Sequence, residues 1–178
     1  MVLFPKRFNL SGIKTMLLLT GEYEHSFDNK SRVLISNKLR SQIDVEEHGS
    51  NFYVVLGANG ILCLYPEKYF ELLVLASSPN ESAPDEALAF ERMSFALASM
   101  VELDAQGRLL ISEKLRKRAG LEEKITLVGV RDHIELWDTG NWEKYIEENM
   151  AQYQKQMSEA RKTILSRENK QYLGTEAE

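Results

Sequence analysis

The sequence predicts an α+β protein in which two copies of one small unit share a single core. Three observations carry that expectation. The stretch DNKSRVLISNKLR from Asp28 returns 76 positions later as DAQGRLLISEKLR from Asp104. Alternating apolar residues flank both copies with the period-two pattern of strands. Near the end of the chain the apolar spacing changes to steps of four and three, the mark of one helix face.

Each copy opens on a strand, with Tyr23, His25 and Phe27 alternating in the first and Val101 and Leu103 in the second. A turn follows, DNKS at Asp28–Ser31 and DAQG at Asp104–Gly107. Asp suits the opening position because its carboxylate accepts from amides ahead of it. Gly107 supplies a positive φ at no steric cost, whereas Ser31 meets that demand less easily. RVLI and RLLI then read as second strands. Ser36 and Ser112 stand where they can cap short helices, and Gly120 reads as a helix stop.

A hairpin closes each unit: NFYVVLGANGILCLY from Asn51 and KITLVGVRDHIELW from Lys124. Aligning them places Cys63 on Glu135, which predicts that Cys63 lies on the less buried face. Such a unit holds roughly 45 residues, too few to bury a core alone, and two copies covering each other solve that problem.

ASSPNESAPDEA, between the copies, reads as an exposed linker. Phe90, Met93, Leu97 and Met100 then fall at helical spacing. Trp142, Ile146, Met150, Tyr153, Met157, Ala160 and Ile164 predict a long amphipathic helix, with ENKQYLGTEAE frayed beyond it. That helix packs either on its own domain or against another subunit. The resulting organisation is a leader at 1–19, a first unit at 20–68, a linker and helix at 69–98, a second unit at 99–141 and the helix and tail at 142–178. Residues 1–15 lack periodicity, and Met16 is a second possible start.

Composition narrows the function. The 178 residues carry a net charge of −5, which argues against a wholly basic nucleic-acid binder. Charge is nevertheless local: Asp28–Arg40 and Asp104–Arg118 are each +3. No apolar run reaches the roughly 20 residues of a membrane span. The lone Cys63 excludes an internal disulfide framework and fits a reducing cytoplasm. Phosphate-binding Gly loops, His-Glu-x-x-His and Gly-x-Ser-x-Gly are absent from the sequence. Cys63 has no companion at metal-ligand spacing in sequence. His25, His48 and His133 occupy separate segments, and His25 is expected to pack. No catalytic residue, metal, cofactor or small-molecule substrate is expected.

Each Asp-x-x-x-Arg admits two readings. One is an ion pair, Asp28 with Arg32 and Asp104 with Arg108, that steadies a turn; exposed pairs contribute only about 0–1 kcal/mol. In the other, Asp orients Arg so that its fork of donors can meet guanine or phosphate. The two carboxylates could also face each other as acid and base, but a nearer Arg would hold each ionised.

The paired motifs, with GEYEHSFD from Gly21, LYP from Leu64 and VELDAQGRLLI from Val101, resemble the MraZ family over about Thr20 to Glu147. The resemblance implies a transcriptional regulator of two AbrB/SpoVT-like units, folded as a pseudo-dimeric double-psi or swapped-hairpin β-barrel and assembled as a homo-oligomeric ring. It implies repression through short direct repeats in double-stranded promoter DNA of its own division and cell-wall gene cluster. The protein would then be cytoplasmic and nucleoid-associated. On this reading Arg32, Arg108 and Lys30 contact DNA, while Asp28, Asp104 and Gly107 support the loops. Lys38, Arg40, Lys114 and Arg116 are either phosphate contacts or solvated helix surface. The chain departs from the family pattern at Ser31, where Gly is usual, and at Asn37 and Glu113, where Pro is common. The leader before Met16 and the tail beyond about Met150 have no evident family counterpart. Two rivals remain: an AbrB-like antitoxin of another operon, which would bind inverted repeats, and a ring-forming interaction protein with lapsed DNA binding.

Overall fold

The computed structural model describes residues 17–76 and 85–174. The chain divides into two compact units, Met1–Thr139 and Gly140–Glu178. The first unit holds both repeats. Repeat one contains β1 (Glu22–Ser26), β2 (Arg32–Leu34), α1 (Asn37–Arg40), α2 (Val45–His48), β3 (Phe52–Leu56) and β4 (Leu62–Pro66). Two connecting helices follow, α3 (Glu67–Ala76) and α4 (Asp85–Leu97). Repeat two contains β5 (Ser99–Val101), β6 (Arg108–Leu110), α5 (Glu113–Arg118), β7 (Lys124–Val130) and β8 (His133–Asp138).

Local chemistry explains the boundaries. Ser36 Oγ accepts from the Lys38 amide and Ser112 Oγ from the Leu115 amide, so both short helices carry the expected caps. Gly120 has φ +61° at the predicted stop of α5. The added helix α2 starts at Asp44, whose carboxylate accepts from the amides of Glu46 and Glu47. In the first hairpin, Asn59 and Gly60 turn the chain with φ of +58° and +79°.

Six antiparallel strands form one sheet in the order β1-β7-β8-β4-β3-β5, and β2 pairs separately with β6. Exchanging the repeats leaves this order unchanged. The first strand of each repeat lies beside the hairpin of the other, β1 on β7 and β5 on β3, while β4 and β8 meet in the middle. The repeats are therefore swapped about a pseudo-twofold axis through the β4–β8 ladder. Among the described residues no ladder joins β1 to β5, so the sheet stays open where a closed barrel was expected. β2 and β6 pair with each other in the separate ribbon and extend neither end of the six-stranded ladder.

Inward residues of both repeats meet in one core. Val33, Ile35, Leu109 and Ile111 from the ribbon strands and their exits are fully buried with Leu62, Leu64, Ile134 and Leu136 of the central ladder. Leu17 and Leu19 join this core, and Leu19 bridges Arg131. That approach explains Gly129, where an added Cβ would lie 2.6 Å from the Thr20 nitrogen and 2.7 Å from the Leu19 carbonyl carbon. Gly129→Val is expected to destabilise the fold by about 1–3 kcal/mol, the usual cost of overpacking. A urea midpoint equal to the parent's would contradict this close approach.

Register with Glu135 predicts an outward Cys63, but the residue is only 5% exposed. Helix α3 covers that face: Phe70 stacks on Tyr53 at 4.6 Å, and the Tyr69 hydroxyl donates to Asp132 at 3.2 Å. Met100 belongs to β5, opposite Tyr53, because pairing with β3 overrides the helical phase after Leu97. Asp85–Ala87, read as linker, already lie in α4, and residues 77–84 fall outside the described ones. The leader through Met16 also lies outside them. His25 is half-buried, and burial lowers its pKa, as fits a packed imidazole.

The second unit is carried by α6 (Thr139–Gly174). Its helical backbone continues through most of the stretch expected to fray. Trp142 stacks on Tyr145 at 5.7 Å, while Met150, Tyr153 and Met157 are exposed. Among the described residues no helix is long and apolar enough to cross a membrane.

Candidate nucleic-acid interface

The two turns are built alike from their first residue. Asp28 Oδ1 accepts from the amides of Lys30 and Arg32, both at 2.9 Å. Asp104 Oδ1 does the same for Gln106 at 2.9 Å and Arg108 at 3.0 Å. The fourth turn residue takes a left-handed conformation in each copy, with φ +58° at Ser31 and +79° at Gly107. Ser31 thus adopts the strained geometry that its sequence position predicts.

The second carboxylate oxygen holds the arginine. Arg32 Nε and Nη2 donate to Asp28 Oδ2 at 2.8 and 2.7 Å, and Arg108 repeats both contacts with Asp104 at 2.8 and 2.7 Å. The β2–β6 register places Val33 opposite Leu109 and Arg32 opposite Leu110, so both arginines share the face that Leu34 and Leu110 expose. That brings the two pairs together. Arg108 Nη1 lies 3.6 Å from Asp28 Oδ2, and Arg32 Nη1 lies 3.9 Å from Asp104 Oδ2. These cross distances exceed hydrogen-bond length, so they are charge attractions that leave the Nη1–Nη2 end of each fork for a ligand. The arginine side chains are 28% and 24% exposed, neither sealed into the core nor loose in solvent.

Hydrogen bonds from the arginines lower the pKa of Asp28 and of Asp104 from 3.8 to about 2. Depressed carboxylates stabilise the fold above their unfolded pKa, and that contribution is lost as pH falls through about 2. Near neutrality both are ionised and cannot donate a proton.

The remaining cations of the turns and short helices divide into two groups. Lys30, Lys38 and Lys114 are exposed. Arg40 and Arg116 are instead committed to the scaffold. Arg116 donates from Nη1 to Ser31 Oγ at 3.1 Å and from Nη2 to the Glu122 carbonyl at 3.0 Å, and it lies 3.9 Å over the Phe27 ring. Arg40 donates from Nε to the Ile35 carbonyl at 3.1 Å and from Nη2 to Asn37 Oδ1. A Cβ on Gly107 would come 2.7 Å from the Arg40 guanidinium carbon. Each arginine therefore braces the turn of the opposite repeat. Periodicity along one helix carries no sign of this, although the shared offset of 76 linking Ser31 to Gly107 and Arg40 to Arg116 does. Leu34 and Leu110 also escaped the sequence reading, although alternation past the inward Val33 and Leu109 marks them as outward.

Swapped halves, with paired Asp-held arginines on the two-stranded ribbon at their axis, define an intrachain pseudo-dimer. Comparison with known proteins then places it: the chain belongs to the MraZ family. The family model, described as "MraZ protein, putative antitoxin-like", matches residues 18–92 and 94–164. The match reaches residue 164, into the tail beyond Met150 where the motifs show no family counterpart. Among similar proteins, the "Transcriptional regulator MraZ" of Pediococcus pentosaceus is 40% identical over 74% of this chain and 88% of its own. The proteins of that name from Finegoldia magna and Acetivibrio thermocellus are 33% and 37% identical, over 76% and 74% of this chain and 92% and 89% of theirs.

Proposed function

We propose that the protein is a DNA-binding transcriptional regulator that reads promoter DNA through the β2–β6 ribbon. The carrying observation is the cluster of Asp28, Arg32, Asp104 and Arg108 on the ribbon's outer face. A two-stranded ribbon fits the major groove of B-DNA, where an arginine fork pairs with guanine O6 and N7. The flanking Leu34 and Leu110 suit contact with thymine methyl groups, and Lys30, Lys38 and Lys114 suit phosphate contact. Arg40 and Arg116 act as braces. The relatives' printed names support regulation as the purpose of such binding.

In the same reading the protein is a repressor and assembles into a homo-oligomeric ring. The assembly binds short direct repeats upstream of its own division and cell-wall gene cluster. It works in the cytoplasm, on the nucleoid. Exposed Leu88, Met93 and Phe95 on α4, beside the edge strand β5 with its exposed Met100, support contact between copies. The family description favours one second reading, an antitoxin-like protein, for which inverted repeats would be the expected target. Titrating the full chain into DNA from upstream of its own gene, with the repeats direct, inverted or scrambled, tests the proposal. Preference for direct repeats is the expected result; equal binding to scrambled DNA would refute sequence reading by the ribbon.

A further inference from the structure

The central β4–β8 ladder carries a second cluster, remote in sequence from the ribbon motifs. Cys63 stands directly opposite Glu135, and His133 lies two residues before Glu135 on the same face of β8. We propose that Cys63, His133 and Glu135 form a binding site for a divalent transition-metal ion, zinc by its donor chemistry, at the seam between the two repeats.

One ligand atom from each of the three side chains lies within 4.8 Å of the other two. His133 Nε2 is 3.6 Å from Glu135 Oε1. Metal–ligand bonds of about 2.0–2.3 Å at tetrahedral angles separate neighbouring donor atoms by about 3.3–3.7 Å, so small side-chain adjustments complete the geometry. Thiolate, imidazole and carboxylate together select zinc over magnesium or calcium, which prefer oxygen alone. The two anionic ligands cancel the ion's charge, which matters at a place where Cys63 is 5% exposed.

The surroundings are those that orient metal ligands. His133 Nδ1 is 2.6 Å from Asp132 Oδ1, which directs Nε2 toward Cys63 and Glu135. Asp132 is itself held by the Tyr69 hydroxyl at 3.2 Å, and Glu135 Oε2 accepts from Trp137 Nε1 at 2.8 Å. Tyr65 stacks on the imidazole at 4.8 Å. Gly57 belongs to the design, because a Cβ there would come 2.8 Å from the Cys63 sulfur. Three protein ligands leave a fourth position for water. Since β4 and β8 come from different repeats, a bound ion ties the two halves together.

The test uses the full-length, untagged chain stripped of metal and titrated with Co²⁺. Cys63 is the only cysteine, so a thiolate-to-cobalt charge-transfer band can arise at no other residue. That band should saturate at a single equivalent, and Zn²⁺ should abolish it by displacement. Cys63→Ser should eliminate the band, and Asp132→Ala should weaken binding by about 10–100-fold through loss of ligand orientation. A readout on the unaltered chain guards against variants that fail to fold: Zn²⁺ should slow alkylation of Cys63 and raise the melting temperature. Absence of the band at saturating Co²⁺, with alkylation unaffected by Zn²⁺, would overturn the proposal and leave His133 as a simple bridge between two carboxylates. Protection that persists undiminished in His133→Gln would overturn it equally.

Discussion

Arg32→Ala is expected to weaken promoter binding by about 1–3 kcal/mol, the discrimination carried by one bidentate arginine–guanine contact. Arg108→Ala should behave alike, because its turn, its carboxylate and its distances repeat those of Arg32. The double variant should not equal the sum. Removing Arg32 frees Asp28, which already lies 3.6 Å from Arg108 Nη1, so the surviving fork is drawn inward. Contacting residues couple in this way, and a double-mutant cycle read by fluorescence anisotropy measures the coupling. Replacing both arginines with Lys separates charge from geometry. The point charge remains and the fork is lost, so affinity at low salt should persist while sequence preference falls. Unchanged affinity in both alanine variants, at unchanged oligomer size, would refute the assignment.

The number of sites on the DNA should have the other large effect. One ribbon offers two forks and a few lysines, a small contact for a duplex. In the proposed ring, copies would meet successive repeats as linked readers, and linkage raises affinity by about 10²–10⁴-fold when the geometry allows simultaneous contact. A probe with tandem direct repeats should therefore bind far more tightly than one with a single repeat. Inserting half a helical turn between repeats should cancel most of the gain, because it rotates one site to the opposite face of the duplex. Equal binding of one repeat and several would exclude avidity. Charged substitutions at the exposed Met93 and Phe95 of α4 should both break the proposed assembly and lower tandem binding to the single-site level, and unchanged oligomer size would exclude that face as the contact.

Much of this was legible in the chain because duplication is visible in sequence. The Asp-x-x-x-Arg pairs, the caps at Ser36 and Ser112 and the hairpins all depend on neighbours a few residues away, and short-range patterns record such contacts. The left-handed turn position at Ser31 could be read from its alignment with Gly107. What could not be read depends on the partner repeat. Arg40 and Arg116 look like solvated helix cations until the swap brings each to the opposite turn. Cys63 looks outward because its aligned mate is Glu135, yet at the axis those two positions face each other beneath α3. Met100 fits a helix by period, but an open edge on β3 draws it into a strand. The missing closure of the sheet is equally illegible, since periodicity identifies strands without specifying whether the last one pairs with the first.

In the proposed function the β2–β6 ribbon is the surface that meets DNA. Photo-cross-linking the oligomer to promoter repeats containing 4-thiothymine, followed by peptide mapping, tests it most directly. Cross-links are expected in the peptides spanning Asp28–Leu34 and Asp104–Leu110, and they should be lost when the repeats are scrambled. Cross-links confined to α6 or α4, with both ribbon peptides unmodified, would contradict the account.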